Sequence, residues 1–145
     1  MITSLKGMEL IKAHEGLSLR AYKCKAGVWT IGYGHTAGVQ EGDEITECEA
    51  DGYLMRDMRW AEDCVAAIGV PLRQNQFDAL VSLVFNIGIG NFESSTIRKR
   101  VKANPDDERI RAEFMRWVKV RENGKLVENT GLKKRRANEA NLYFS

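Results

Sequence analysis

The sequence is short of the residues that staple or punctuate a chain. Among 145 residues there are two prolines, three cysteines and two histidines. Cys24, Cys48 and Cys64 form an odd set with no CxxC pair, which argues against a disulfide framework and against a zinc site. If Cys48 and Cys64 share one helix, they stand about 24 Å apart at ~1.5 Å per residue, beyond the reach of a bridge. No apolar run approaches the ~18 residues of a membrane-spanning helix. The N-terminus, MITSLKGMELIKAHEG, lacks the charged-then-apolar pattern of a secretion signal. A chain with neither signal nor anchor is expected to reside first in the cytoplasm. Internal repeats and low-complexity linkers are also lacking.

What is present suits one soluble domain. A hydrophobic share of 43% with 29% charged residues excludes the disordered and fibrous classes. A chain of this length buries roughly two thirds of its unfolded surface, enough for a core without staples. The net charge of +2 hides an asymmetry. Residues 1–94 carry 8 basic and 13 acidic side chains, whereas residues 95–145 carry 14 basic and 7 acidic. A basic C-terminal half points to an anionic partner such as nucleic acid, phospholipid or an acidic wall polymer.

Apolar spacing predicts a first helix over 4–14, with Leu5, Met8 and Ile11 on one face and Gly16 as its C-terminal cap. Residues 19–35 change period and read as a β-hairpin: Tyr22, a polar turn ending at Gly27, then the strand VWTIGYGH. A third short strand is expected near 39–45. Thr46 and Glu49 form a T-x-x-E capping box. After it, Ala50, Tyr53, Leu54, Met58, Ala61, Val65 and Ile68 recur at helical spacing, predicting one long helix that ends at Gly69, just before Pro71. Residues 74–88 form the most apolar helix. Further helices are expected near 94–103, 106–118 and 132–143. The fold class is α+β, mostly α.

The candidate chemistry lies in Glu15, Cys24 and Thr30. An acid closing a helix feels the negative end of the macrodipole, which favours its protonated form. A protonated Glu suits a general acid acting on a leaving sugar oxygen. Across from it, Cys24 in the hairpin turn and Thr30 on the return strand offer groups that hold a water. Each residue alone also has a bland reading: a solvated Glu, an inert turn Cys, a strand-forming Thr.

The stretch HEGLSLRAYKCKAGVWTIGYGHT resembles the N-terminal motif of the phage-type lysozymes, the endolysin muramidases related to the T4 enzyme and grouped as glycoside hydrolase family 24. That family pattern is Glu, eight residues, Asp or Cys, five residues, Thr. NQFDALVSLVFNIG and GLKKRRANE extend the similarity along nearly the whole chain. The resemblance implies a single two-lobed domain over 1–145: a β-containing lobe at about 15–45, a linking helix at about 46–69, and a helical lobe at about 70–145 joined by the N-terminal helix. It implies hydrolysis of the β-1,4 bond between N-acetylmuramic acid and N-acetylglucosamine in peptidoglycan, with inversion. Glu15 would be the acid, and Cys24 with Thr30 would position and activate the water. Whether Cys24 acts as base, water-holder or nucleophile stays open. His35 and Asp57 stand where the family carries an ion pair, and Arg135 where its arginine approaches the acid. Phe85, Asn86, Thr36 and Thr96 are the candidate sugar contacts. Trp60 and Trp117 are expected in cores, and Leu142 and Phe144 as packing residues.

The competing classes are a lytic transglycosylase, a wall-binding module with weakened catalysis, and a nucleic-acid binder. The last lacks any RNP, helix-turn-helix or zinc pattern. The expected partner is therefore the peptidoglycan glycan strand, without nucleic acid or stable membrane association. A monomer is expected, with no metal and no organic cofactor. By family analogy the protein waits in the host cytoplasm until a holin opens the way to the wall.

Overall fold

The computed structural model describes all residues, Met1–Ser145. Its elements run α1 (Leu5–Glu15), β1 (Ser18–Lys23), β2 (Trp29–Gly32), α2 (Glu47–Asp57), α3 (Arg59–Ala66), α4 (Gln74–Ile87), α5 (Ile89–Glu93), α6 (Thr96–Ala103), α7 (Ile110–Phe114), β3 (Lys119–Glu122), β4 (Lys125–Glu128) and α8 (Thr130–Tyr143). The class is α+β, mostly helical, with two small antiparallel sheets. The chain divides into two compact units, Ile11–Trp60 and a helical unit made of Met1–Leu10 with Ala61–Ser145.

In the unit Ile11–Trp60, β1 pairs with β2 in the register Tyr22↔Thr30 and Lys23↔Trp29. The expected third strand is reduced to a single bridge between Arg20 and Glu44. Asp43 and Ile45 still bond the backbone of β1, but the turn-rich segment around Gly38 and Gly42 leaves no room for a regular strand. α2 packs on β2 and starts as predicted, with Thr46 and Glu49 capping each other.

The single long helix is corrected to two. α2 stops at Asp57, and the Met58 amide bonds back to both Arg56 and Leu54 carbonyls. α3 then resumes the same apolar face, with Met58, Ala61, Val65 and Ile68 buried. Periodicity specified the face, and a one-residue turn could be inserted without losing it.

The core of the helical unit is α4 against α8. Gln76 to Val84 are buried without interruption, as the dense apolar sequence requires. Ile97, Val101, Ile110, Phe114 and Tyr143 complete it. The N-terminal residues are tied down by polar bonds: Thr3 N–H donates to Glu62 at 3.0 Å and Ser4 N–H to Asp78 at 3.0 Å. Ser4 Oγ also donates to Asp78.

The expected helix over 106–118 shrinks to α7, and the segment after it forms the β3–β4 hairpin, paired Lys119↔Glu128 through Glu122↔Lys125. Asn123 (φ 48°) and Gly124 (φ 79°) supply its turn, the Asn-Gly signature of a tight hairpin. The tryptophans also depart from expectation. Trp60 is exposed and Trp117 only half-buried, lining a cavity. Leu142 is buried and Phe144 half-buried, consistent with packing roles.

Candidate active site

Glu15 is the last residue of α1. The following residue turns sharply, and Gly16 N–H donates to Lys12 O at 3.2 Å. The Glu15 carboxylate reaches over the backbone after β2: a Cβ built on Gly34 would lie 3.9 Å from Glu15 Oε2. Lys12 anchors this end of α1, with its ammonium 2.9 Å from Asp51 and 5.6 Å from the Tyr33 ring centroid.

Cys24 follows β1 directly. Its N–H donates to Val28 O at 3.0 Å, and its carbonyl accepts from Gly27 N–H at 2.8 Å. This tight loop turns backbone amides toward the sulfur. The amides of Val28 and Ala26 hold the Cys24 thiol below its ordinary range, and partial desolvation opposes them. Amides aimed at an anion favour the ionised form. Thr30 is 4% exposed, and its hydroxyl donates to Val28 O at 3.0 Å. That bond leaves the oxygen lone pairs of Thr30 available as acceptors.

Behind this loop, Ile31 and His35 exchange two backbone hydrogen bonds, each 2.9 Å. His35 Nδ1 lies 2.8 Å from Asp57 Oδ2. Its ring stacks on Tyr53 at 4.3 Å with an interplanar angle of 11°, and Arg56 covers the same tyrosine at 5.0 Å. Thr36, next in sequence, is exposed.

The helical unit holds the remaining sequence candidates. Arg135 (3% exposed) and Arg136 (0%) are buried with Glu139 (0%). Arg135 Nε donates to Glu139 Oε2 at 3.3 Å, and its Nη2 donates to Ser82 O at 3.2 Å. Arg136 donates to Glu139 Oε1 at 2.5 Å and to Trp117 O at 2.9 Å. Arg136 also donates to Asn86 Oδ1, so the Asn86 carbonyl is engaged by protein, and its amide group remains for a ligand. Phe85 is half-buried beside it. Thr96 accepts from Arg116 at 3.4 Å.

Two features escaped the sequence reading. One is Glu139, legible only through its i,i+3 and i,i+4 spacing from the two arginines. The other is a cavity of about 600 Å³ walled by Asn86, Arg136, Trp117, Arg116 and the hairpin residues Lys119 and Leu126. No apolar period marks a cavity, and the hairpin that forms one wall lies between the helices that the spacing predicts near 106–118 and 132–143.

Comparison with known proteins decides the family. A model described as phage lysozyme matches residues 12–139. The chain belongs to the phage lysozyme family. As a member of that family it is an enzyme of the lysozyme type. The endolysin of Acyrthosiphon pisum secondary endosymbiont phage 1 is 47% identical over 146 residues, covering 100% of this chain and 99% of the relative. The solved endolysin of Escherichia coli O157:H7 phage FAHEc1 superposes with a TM-score of 0.91 at 43% identity, covering 99% of this chain and 93% of that one. The muramidase domain of SpmX from Asticaccaulis excentricus gives 0.91 at 38% identity, covering 98% and 97%. The structure also contains no helix long and apolar enough to cross a membrane.

Proposed function

We propose that the chain is an endolysin that hydrolyses the β-1,4 bond between N-acetylmuramic acid and N-acetylglucosamine in bacterial peptidoglycan, in the manner of the T4-type enzymes and of glycoside hydrolase family 24. The observation that carries this reading is that one compact unit, Ile11–Trp60, holds an α1-terminal carboxyl at Glu15, a thiolate-favouring loop at Cys24 and a buried hydroxyl at Thr30. Glu15 protonates the departing glycosidic oxygen. A water attacks the sugar carbon from the opposite face and gives up its proton to the Cys24 thiolate. The Thr30 hydroxyl donates to Val28, so its oxygen accepts from that water and orients it. One acid, one base and one water make the reaction inverting.

His35 and Asp57 hold the turn after β2, and Arg135 is assigned a supporting role within the helical unit, where it binds Glu139 and Ser82. Asn86, Phe85, Thr36 and Thr96 are assigned to the glycan. The protein works as a monomer on peptidoglycan strands and depends on a separate pore-forming holin for access to the wall.

The test is turbidity loss of outer-membrane-permeabilised Gram-negative cells. The unmodified protein clears the suspension, and Glu15→Gln does not. The fragments carry reducing ends. Fragments ending in 1,6-anhydro sugar would replace the hydrolase by a transglycosylase, and binding without lysis would leave only a wall-binding module.

A further inference from the structure

Lys12 stands one helical turn before Glu15 on α1, and three elements meet at its side chain. Its ammonium lies 2.9 Å from Asp51 on α2 and 5.6 Å from the centroid of the Tyr33 ring, in the turn after β2. The Lys12 side chain is 19% exposed and that of Asp51 40%. A pair partly withdrawn from water holds its geometry better than one lying wholly in solvent.

Glu15 bears on the same turn. Its Oε2 lies 3.9 Å from the place a Cβ on Gly34 would take. Residues at i and i+3 face the same way on a helix, so Lys12 and Glu15 reach consecutive residues, Tyr33 and Gly34. That turn is itself held in register, since Ile31 and His35 exchange two backbone hydrogen bonds of 2.9 Å. Ile31 follows Thr30 on β2, and α2 packs on the same strand. Asp51, Tyr33 and Thr30 thus belong to one packed block within the unit Ile11–Trp60, and the Lys12 side chain fastens α1 to it. The backbone beyond Glu15 does not: Gly16 N–H returns to Lys12 O inside the helix, and the chain turns away at Gly16 with φ 74°.

An inverting cleavage needs its acid and its water on opposite faces of one sugar, and a misplacement of about 1 Å can cost roughly a hundredfold in rate. We infer that Lys12 is a positioning residue for the cleavage: with Asp51 and the Tyr33 ring it clamps the end of α1, so that the Glu15 carboxyl is held at a fixed distance from the strand carrying Thr30. The inference rests on the cleavage reading above and names the device that sets its acid.

The experiment measures kcat and KM on soluble glycan strands, with folding of each variant checked by circular dichroism. Lys12→Met keeps an apolar stem over Tyr33 and removes the charge. Asp51→Asn keeps the Lys12 charge and removes its anchor. Each is expected to lower kcat roughly tenfold with KM within about twofold. The double variant is expected to match either single one, because a clamp opens only once. Lys12→Arg, which preserves the ion pair, is expected to keep kcat within about threefold. Arg20→Met breaks the exposed Arg20–Glu44 pair of the same unit and is expected to leave kcat unchanged. Unchanged kcat in Lys12→Met, a loss in KM alone, or single losses that multiply in the double variant would overturn the clamp. Full activity in Asp51→Asn beside a loss in Lys12→Met would replace positioning by a direct effect of the Lys12 charge, and overturns it too. A second arm follows an isotope-labelled Glu15 carboxyl by NMR. Its signal is expected to move in Lys12→Met and in Asp51→Asn and to stay in place in Arg20→Met; a signal unmoved in all three overturns the clamp. If the unmodified protein releases no sugar, the cleavage reading fails, and the carboxyl signal still decides whether Lys12 and Asp51 hold Glu15.

Discussion

Cys24 and Val28 are tied to each other through their backbones: Cys24 N–H donates to Val28 O at 3.0 Å, and the Val28 amide is the largest influence holding the Cys24 thiol below its ordinary value. A five-residue loop thereby turns a cysteine into an anion site beside Thr30. The carbonyl of Val28 also accepts a hydrogen bond from the Thr30 hydroxyl, so one residue organises both water-holding groups.

The first prediction concerns pH. A thiol lowered in the folded protein is ionised below the pH at which an unfolded cysteine ionises. Its stabilising contribution is present above the unfolded value and is lost as pH falls through the folded one. Iodoacetamide should therefore label Cys24 with a pH midpoint below that of a free cysteine. The stability of the unmodified protein relative to Cys24→Ser should rise as pH increases through that window. A labelling midpoint at or above the ordinary cysteine value would remove the anion-site assignment. For activity, Cys24→Asp should keep wall lysis and Cys24→Ala should lose most of it.

His35 and Asp57 form a part-exposed pair that joins the β2 turn to the end of α2. A double-mutant cycle with His35→Ala and Asp57→Asn should give a coupling of roughly 1 kcal/mol, discounted for solvent screening. Thermal melts of the four proteins measure it, and additive losses would mean that the two residues do not interact.

Glu139 pairs with two buried arginines and accepts a hydrogen bond from the Ser82 hydroxyl at 2.5 Å. Glu139→Ala removes the carboxylate that both buried arginines share and should cost about 3–5 kcal/mol in urea unfolding. A loss below about 1 kcal/mol would show that water or another group compensates them.

Gly7 makes room for α4. A Cβ there would sit 2.7 Å from Asp78 Cγ and 2.7 Å from Thr3 Cγ2. Gly7→Ala should destabilise by about 1–3 kcal/mol through overpacking, despite the better helix propensity of alanine. Combining it with Asp78→Ala should give less than the sum of the single losses, and strict additivity would place the strain elsewhere.

Much of this was legible because some signals are local. The capping box at Thr46 and Glu49 names its own geometry, and the spacing of Leu54, Met58, Ala61, Val65 and Ile68 names a buried face. What such spacing does not report is continuity. A helix that breaks at Met58 and resumes at Arg59 buries the same face. The β3–β4 hairpin was missed although Asn123-Gly124 is a strong turn signal. Its strands are mostly charged and exposed, so no alternation of apolar and polar residues announced them.

The sequence by itself determined the elements whose causes lie within a few residues: the α1 end that presents Glu15, the hairpin that sets Cys24 near Thr30, the apolar α4. Motif spacing was enough to point to the family. The tertiary structure alone decided which atoms face one another across long separations. It placed Arg136 on Asn86, fifty positions away, and His35 on Asp57 and Tyr53. It also assembled one cavity from α4, the segment at Trp117, the hairpin and α8. These depend on how separate elements pack, and packing is a property of shape and volume that local propensity does not encode.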